Sequence, residues 1–502
     1  MTQLRHARSW TRRLTLLALG GFLAATPAPA QTRVTVYPFP QQLPASPRYR
    51  VIASGQTLPT MATEAGDFAA FALQGQAEIT IVHDRQVTNV VVRPRARGIR
   101  AETRGGQIRF TVDRHGPLCV EINGDLRAPL FLFIDPPETD VPARGTPGVM
   151  VLASNKVHDL GEIRLREGQT LYLEPGAVMR GTVRARDARR VTIRGRGLFD
   201  ARPRTNKTHL IEFRNCANVE VRDVILLGSL GWTLVPWECQ DVRVRQIKVL
   251  GWRDNDDGLD ICGSRRVRVD GCFFRTKDDC ISIKSLGGEY FSAAANTAGP
   301  PAARLAGREV ADVEVRRSVF WNAEWGNALE IGFELHAPRV HRIVWRECDI
   351  LREQGGAVFS IHNGDAAVVE DVLFRDIRVE DAQHHLVDFR VGLSIYSADC
   401  PDRYHRRNPQ RQPTGAGQWV PAGRLTPEES AFSRTRRGVI RNIRFQNIHL
   451  WEDTVPPSFI VNDGGRIESI SFENVRAAGR LLAAPADLRL TIEGAAGVIW
   501  GP

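Results

Sequence analysis

Along most of the chain, short runs of β-branched and aliphatic residues alternate with charged ones, and Asn, Asp or Gly follow within a few positions. Alternation of period two predicts short strands with one buried face, and helical periodicity is scarce, so the fold class is all-β. The alternation also recurs. Asn215-Cys216-Ala217-Asn218-Val219-Glu220-Val221 is matched 23 residues later by Glu238-Cys239-Gln240-Asp241-Val242-Arg243-Val244, and Cys262 lies 23 residues further on. Similar segments begin at Val310, Val340, Val369, Arg441 and Ile467.

A repeat of this length marks a solenoid. The Leu framework of leucine-rich repeats and the Trp-Asp signature of propellers are both missing. Three short strands and three turns per coil fit instead, with inward Val, Ile, Leu and Cys stacking every ~4.8 Å, as in a parallel β-helix. Cys216, Cys239 and Cys262 read as one buried column, because free Cys behaves as a small hydrophobe. Eight cysteines in that setting are a repeat feature and not a disulfide framework. No C-x-x-C or His cluster accompanies them to bind metal.

The rhythm begins near Val151. Before it, alternating segments such as Ala77–Val82 and Gln107–Val112 show no coil period and predict a separate small β-sandwich over 31–145, joined through Pro136 to Pro147. The helix then occupies 146–502. Asp402 to Ser430, rich in Pro, Gly, Arg and Gln, reads as a long loop between coils. Residues 1–30 read as an export signal: Arg5, Arg8, Arg12 and Arg13, an apolar run from Leu14 to Ala25, then Ala28-Pro29-Ala30. The paired arginines leave Sec or twin-arginine export open. The apolar run is too short for a stable membrane span, so a secreted or periplasmic monomer is expected.

Composition changes this picture little. The net charge is +10, from 67 Lys and Arg against 57 Asp and Glu, but the basic residues are dispersed and aromatics are only 7%. Nucleic-acid binding would need a basic stripe with stacking aromatics.

The chemistry concentrates between Asp254 and Asp279. Asn255-Asp256-Asp257-Gly258-Leu259-Asp260 and Lys277-Asp278-Asp279-Cys280-Ile281-Ser282-Ile283-Lys284 put Asp257 and Asp278 about one coil apart. Carboxylates packed at coil spacing raise one another's pKa, which a fold avoids unless a ligand, a hard cation or a reaction uses them. Glycosidic hydrolysis uses such a set, with one acid to protonate the leaving oxygen and a carboxylate to activate water.

Asn255-Asp256-Asp257-Gly258 resembles the N-T-D-G motif of polygalacturonases, glycoside hydrolase family 28. Asp278-Asp279-Cys280-Ile281-Ser282-Ile283 resembles that family's D-D-C-x-A-I segment, and Val191 to Asp200 its G-x-G-x-x-D coil. The resemblance spans roughly 165–400. It implies a right-handed parallel β-helix and an inverting, metal-free and cofactor-free hydrolase, with Asp278 as general acid and Asp257 and Asp279 holding the attacking water.

Two departures bear on the substrate. Asn327 stands where the family has the His of G-H-G, and Phe359-Ser360-Ile361-His362-Asn363-Gly364-Asp365 replaces the carboxylate-gripping R-I-K segment. Dextranases and isopullulanases, family 49, share the three aspartates, lack R-I-K and carry an N-terminal β-sandwich. A neutral, α-linked glucan is therefore the expected substrate. Lys284, Asn327, Glu330, Glu334, His362 and Asp365 are candidate sugar or site contacts, and Trp232 and Trp325 candidate stacking platforms. His384-His385 reads as a loop pair. A pectin hydrolase, a lyase or epimerase, and a non-catalytic carbohydrate-binding β-helix are the alternatives.

Overall fold

The computed structural model describes residues 32–286, 307–406 and 408–501. The expected export signal lies outside the described residues. Among them, no helix is long and apolar enough to cross a membrane.

Two sheets face each other in the first part. One follows the order Arg33–Val36, Asp67–Gln74, Leu130–Asp135, Gly116–Ile122, Val90–Arg93; the other is built around Tyr49–Ala53, Ala77–His83 and Gln107–Val112. Their alternating apolar faces meet in one core that includes Val51, Phe71, Ile79, Phe110, Leu118 and Leu132. This is the expected β-sandwich.

From Val149–Leu152 to Ala495–Gly501 the chain winds as a right-handed parallel β-helix whose strands form one continuous 30-stranded ladder. The repeats perceived in the sequence stack in register. Val191, Val219, Val242, Val267, Val313, Ile343, Val372, Ile443, Ile470 and Val498 form a single inward column. Each residue of this column directly follows one of positive φ, including Asn218, Asp241, Asp312, Asp371 and Asn442. Asn and Asp adopt this conformation more readily than other non-Gly residues, which explains their recurrence.

The cysteine column differs from its expectation. The Cys216 N–H faces Cys239 Sγ at 3.4 Å, but the Cys239 N–H donates to Ser264 Oγ at 2.8 Å. Cys262 pairs with Trp237 instead and packs with Trp232, Val235 and Leu286 on the outer face. The coil after Cys239 is two residues longer, so Ser264 takes the place that Cys262 was assigned. All eight cysteines are free and buried.

The sandwich docks along one flank of the helix. Phe68, Phe131 and Phe133 pack against Leu198, Ile225, Leu250, Phe273, Trp321 and Leu351. Buried ion pairs surround this contact, Glu121 with Arg93 (2.8 Å) and Arg352 (2.7 Å), and Asp135 with Lys248 (2.6 Å) and Arg196 (3.1 Å). The flank built from Ile211–Arg214, Leu234–Trp237, Leu259–Cys262, Ile281–Lys284, Leu329–Phe333, Ala357–Asn363 and His385–Val391 is left for the cleft.

The segment expected as a long loop is more structured than its composition implies. Leu393, Ile395, Cys400, Tyr404 and Val420 form their own apolar cluster, and Pro427–Arg434 is an α-helix with a capping box between Thr426 and Glu429. This insertion overhangs the cleft.

Candidate active site

The cleft, about 470 Å³, is lined by Asp257, Asp278, Asp279, Lys284, Asn327, Glu334 and His362 on its floor, and by Trp232, Trp325, Tyr396 and Trp419 at its sides. Asp257 and the pair Asp278-Asp279 sit in turns that lead into adjacent strands, Leu259–Cys262 and Ile281–Lys284, which pair Leu259 with Ile281. The Gly258 N–H donates to the Asp279 carbonyl (2.9 Å), so the coil step is 22 residues and Asp279, not Asp278, is the register mate of Asp257. One carboxylate oxygen from each of Asp257, Asp278 and Asp279 lies within 4.8 Å of the others.

Asp256 holds the two turns together. Its buried carboxylate accepts the N–H groups of Arg253 (2.7 Å), Lys277 (3.0 Å) and Asp278 (3.0 Å). Gly326 closes the site from the next coil with φ +68°; a Cβ there would lie 2.4 Å from Asp279 N and 2.6 Å from Asp278 Oδ1. The backbone can run this close to the aspartates only as glycine.

The three carboxyls differ in setting. Asp278 is the most accessible: half-buried, its oxygens accept the Asp279 N–H (3.0 Å) and one N–H of the Asn255 amide (3.4 Å). Asp257 is buried, with one oxygen lacking a hydrogen-bond partner. Asp279 Oδ1 accepts both the Asn327 N–H (2.6 Å) and its amide (3.2 Å), while Asn327 Oδ1 accepts the Ala357 N–H (2.9 Å). Asn327 is thus a clamp on Asp279.

Burial pushes all three carboxyls up, and each is raised further or held by its neighbours. Asp257 is raised by burial and by Asp260, Asp278 and Asp279. Asp279 is pushed up to about 8 by burial, Asp278 and Glu330. Burial also raises Asp278, against the opposing fields of Lys284, Arg406 and Lys207. Carboxyls this close titrate as a set, so the retained proton belongs to the cluster rather than to one residue.

Lys284 is the cation at the centre. Its buried ammonium donates to Glu334 Oε2 (3.2 Å) and the Gly332 carbonyl (3.3 Å), and lies 5.1 Å from the centre of the Trp232 ring. Burial opposes its charge, but Glu334, Asp260, Asp257 and Asp279 together raise its pKa above the ordinary lysine value. Glu334 also pairs with Arg406 from the insertion (3.2 Å). Despite burial, Lys284 and Arg406 hold Glu334 down at about 2.

His362 lies between Glu330 (3.1 Å) and Asp388 (3.3 Å) and stacks on Phe333 at 4.5 Å. Burial disfavours its charge, yet Glu330 and Asp388 raise it to about 10, so it is an imidazolium at neutral pH. Glu330 is itself fully buried beneath the floor and does not line the cleft. Asp365 does not line it either: its oxygens accept the N–H groups of Ala398 (2.8 Å) and Leu335 (3.3 Å), which secures a turn. These contacts replace the sugar contacts expected of both residues. Trp232 is buried against His209 (ring centres 5.2 Å apart), whereas Trp325 is 60% exposed at the lip. The His384 and His385 rings, tilted against each other with centres 3.8 Å apart, line the far end.

Sequence reasoning missed Asn255, Asp260, Asp388, Arg390, Tyr396, Arg406 and Trp419. Asp260 was visible in the first aspartate run; its two carboxylate oxygens are buried without a hydrogen-bond partner. Three carboxylates with oxygens this close could gather a hard cation or a water, and the buried Lys284 ammonium offsets part of their charge.

Residues 195–300, which contain all three aspartates, match the family described as Glycosyl hydrolases family 28. A polygalacturonase of Chamaecyparis obtusa is 35% identical over 80 residues, 16% of each chain. One of Persea americana is 36% identical over 92 residues, 18% of this chain and 20% of the other. The matched stretch therefore spans a fifth or less of these relatives. Among solved structures, Dex49A from Penicillium minioluteum superposes with a TM-score of 0.60 at 10% identity, over 92% of this chain and 96% of that one, a likeness of fold. The chain resembles the β-helix glycoside hydrolases of the polygalacturonase and dextranase group.

Proposed function

We propose that this chain is a glycoside hydrolase that cleaves polysaccharide in the cleft. The observation that carries the reading is the gathering of Asp257, Asp278 and Asp279 within 4.8 Å on the cleft floor, with Asp278 the most exposed of the three. Asp278 protonates the glycosidic oxygen as the bond to the anomeric carbon breaks. Asp257 and Asp279 hold a water, take its proton as it attacks, and so restore the cluster's proton count. Separation alone suits retention, since retaining pairs lie ~5–5.5 Å apart. Two carboxylates gathered on one water favour a single displacement, and the reading commits to inversion.

The sugar beside His362 is neutral in this reading, as in an α-glucan. The His362 charge is met by Glu330 and Asp388, and Arg390 is bound to Asp388 at 2.6 Å. A substrate carboxylate gains little from cations already paired. The signal-like residues 1–30 support action outside the cytoplasm. The test is release of reducing ends from a panel of neutral and acidic polysaccharides, with the new anomer identified by NMR. Inverted product from a polysaccharide supports the reading; no release from any member, or retained product, overturns hydrolysis or its stereochemistry respectively.

A further inference from the structure

A second pocket, about 440 Å³, adjoins the cleft and shares Trp232, Asn255 and Arg406 with it. Its remaining wall includes Arg184, Lys207, His209, Glu212 and Arg214. Among the described lining residues Glu212 is the one carboxylate, and it is committed to His209 (2.6 Å) and Arg214 (2.5 Å). Arg184 spends its N–H groups on the carbonyls of Val183 (2.9 Å), His209 (2.7 Å) and Leu210 (3.3 Å), while a Glu162 carboxylate oxygen lies 3.8 Å from its Nε. Its guanidinium is held by these carbonyls without a close carboxylate hydrogen bond, and burial lowers its pKa, opposed by the fields of Glu212 and Glu162 and assisted by Arg204 and Arg214. Lys207, exposed, is hydrogen-bonded to the Asn255 side-chain oxygen, a neutral partner.

Position gives this charge its use. Arg184 lies in Val178–Arg186, which pairs with Ile211–Arg214, then Leu234–Trp237, then Leu259–Cys262 beside the aspartates. Three coils at ~4.8 Å put Arg184 about 14 Å along the axis from Asp257. Trp232 forms a common wall, and the amide of Asn255 reaches Asp278 at 3.4 Å. A chain lying over the aspartates runs on into this pocket.

We propose that the pocket binds an anionic group, a uronate carboxylate or a sulfate ester, on a sugar unit distant from the cleaved bond. The substrate class is then a mixed polysaccharide, neutral at the unit beside His362 and acidic further along, unlike a plain glucan or a uniformly acidic polymer. This rests on the hydrolase reading for the direction of the chain through the cleft, but binding tests it separately.

The experiment uses the full-length Asp278→Asn protein, which binds without turnover, and calorimetry at low salt. The probes are a neutral gluco-hexasaccharide, the same oligosaccharide with one uronate at either end, and the same with one sulfate ester. At least tenfold tighter binding of a charged probe is expected, weakening with salt as exposed charges are screened. The tighter of the two identifies the anion. Lys207→Met, at an exposed site that tolerates it, should cut the charged-to-neutral ratio at least fivefold, and Lys207→Met with Arg184→Gln should abolish it. Equal affinity for charged and neutral probes, or an unchanged ratio in folded Lys207→Met, overturns the proposal. A charge preference in a protein whose unsubstituted form releases no reducing ends would overturn the hydrolase reading and leave this one standing; hydrolysis without preference would do the reverse.

Discussion

Replacing Lys284 with Met tests the electrostatic centre of the site. Met fills a similar volume, so the change removes a buried charge more than it removes packing. Lys284 is the largest influence holding Glu334 down at about 2, with Arg406 next. Relative to an ordinary glutamate near 4.3, that displacement is worth about 3 kcal/mol. A depressed carboxylate stabilises the fold above its unfolded pKa and loses that contribution as pH falls through the folded value. The Glu334 contribution is therefore complete above pH ~5, falls to ~1.4 kcal/mol at pH 3 and vanishes near pH 1. Lys284, with its pKa raised, contributes at every pH below the ordinary lysine value and adds no slope in this window. The aspartate cluster, raised by burial and mutual repulsion in both proteins, keeps its shared proton below neutrality and cancels. Urea unfolding followed by tryptophan fluorescence should show Lys284→Met to be less stable by up to about 3 kcal/mol at pH 7, Arg406 retaining part of the effect, and by about half that loss at pH 3. A difference under ~1 kcal/mol at pH 7, or one that grows on acidification, would refute the reasoning.

Asn327→Ala removes one of two hydrogen bonds to Asp279 and leaves the Ala357 N–H unpaired; kcat should fall by ~10- to 100-fold, and the alkaline limb of the pH–rate profile should move up as Asp279 loses a donor to its charged form. In the unsubstituted protein that limb should lie near pH 8, to which Asp279 is pushed, and a profile flat through pH 9 would contradict it. Prolonged treatment with EDTA should leave hydrolysis intact; loss restored by calcium would assign the three aspartates to a cation.

Much of the fold was legible because each coil must repeat its neighbour. The column from Val191 to Val498 shows as alternating β-branched residues in the sequence, and the same turn residues recur beside it. The aspartates were legible for a related reason, since like charges at coil spacing need a purpose. Cys262 misled because a two-residue lengthening moves one coil out of phase, which spacing alone cannot reveal. Glu330 misled because alternation gives a side chain's face but not its cover, and His362 lies over it. Tyr396, Arg406 and Trp419 come from an insertion held in place by tertiary contacts such as Arg406 with Glu334 and Arg437 with Asp399, and no periodicity points to where it lies.

The most direct test of the account is the Asp278→Asn protein assayed for reducing-end release on the substrate that the polysaccharide screen identifies. The amide keeps the shape and cannot deliver the proton, so release should fall by ~10²- to 10⁴-fold while the thermal midpoint stays at or above that of the unsubstituted protein, as expected when one of three crowded carboxyls is neutralised. Release at an undiminished rate from the folded variant would contradict the account.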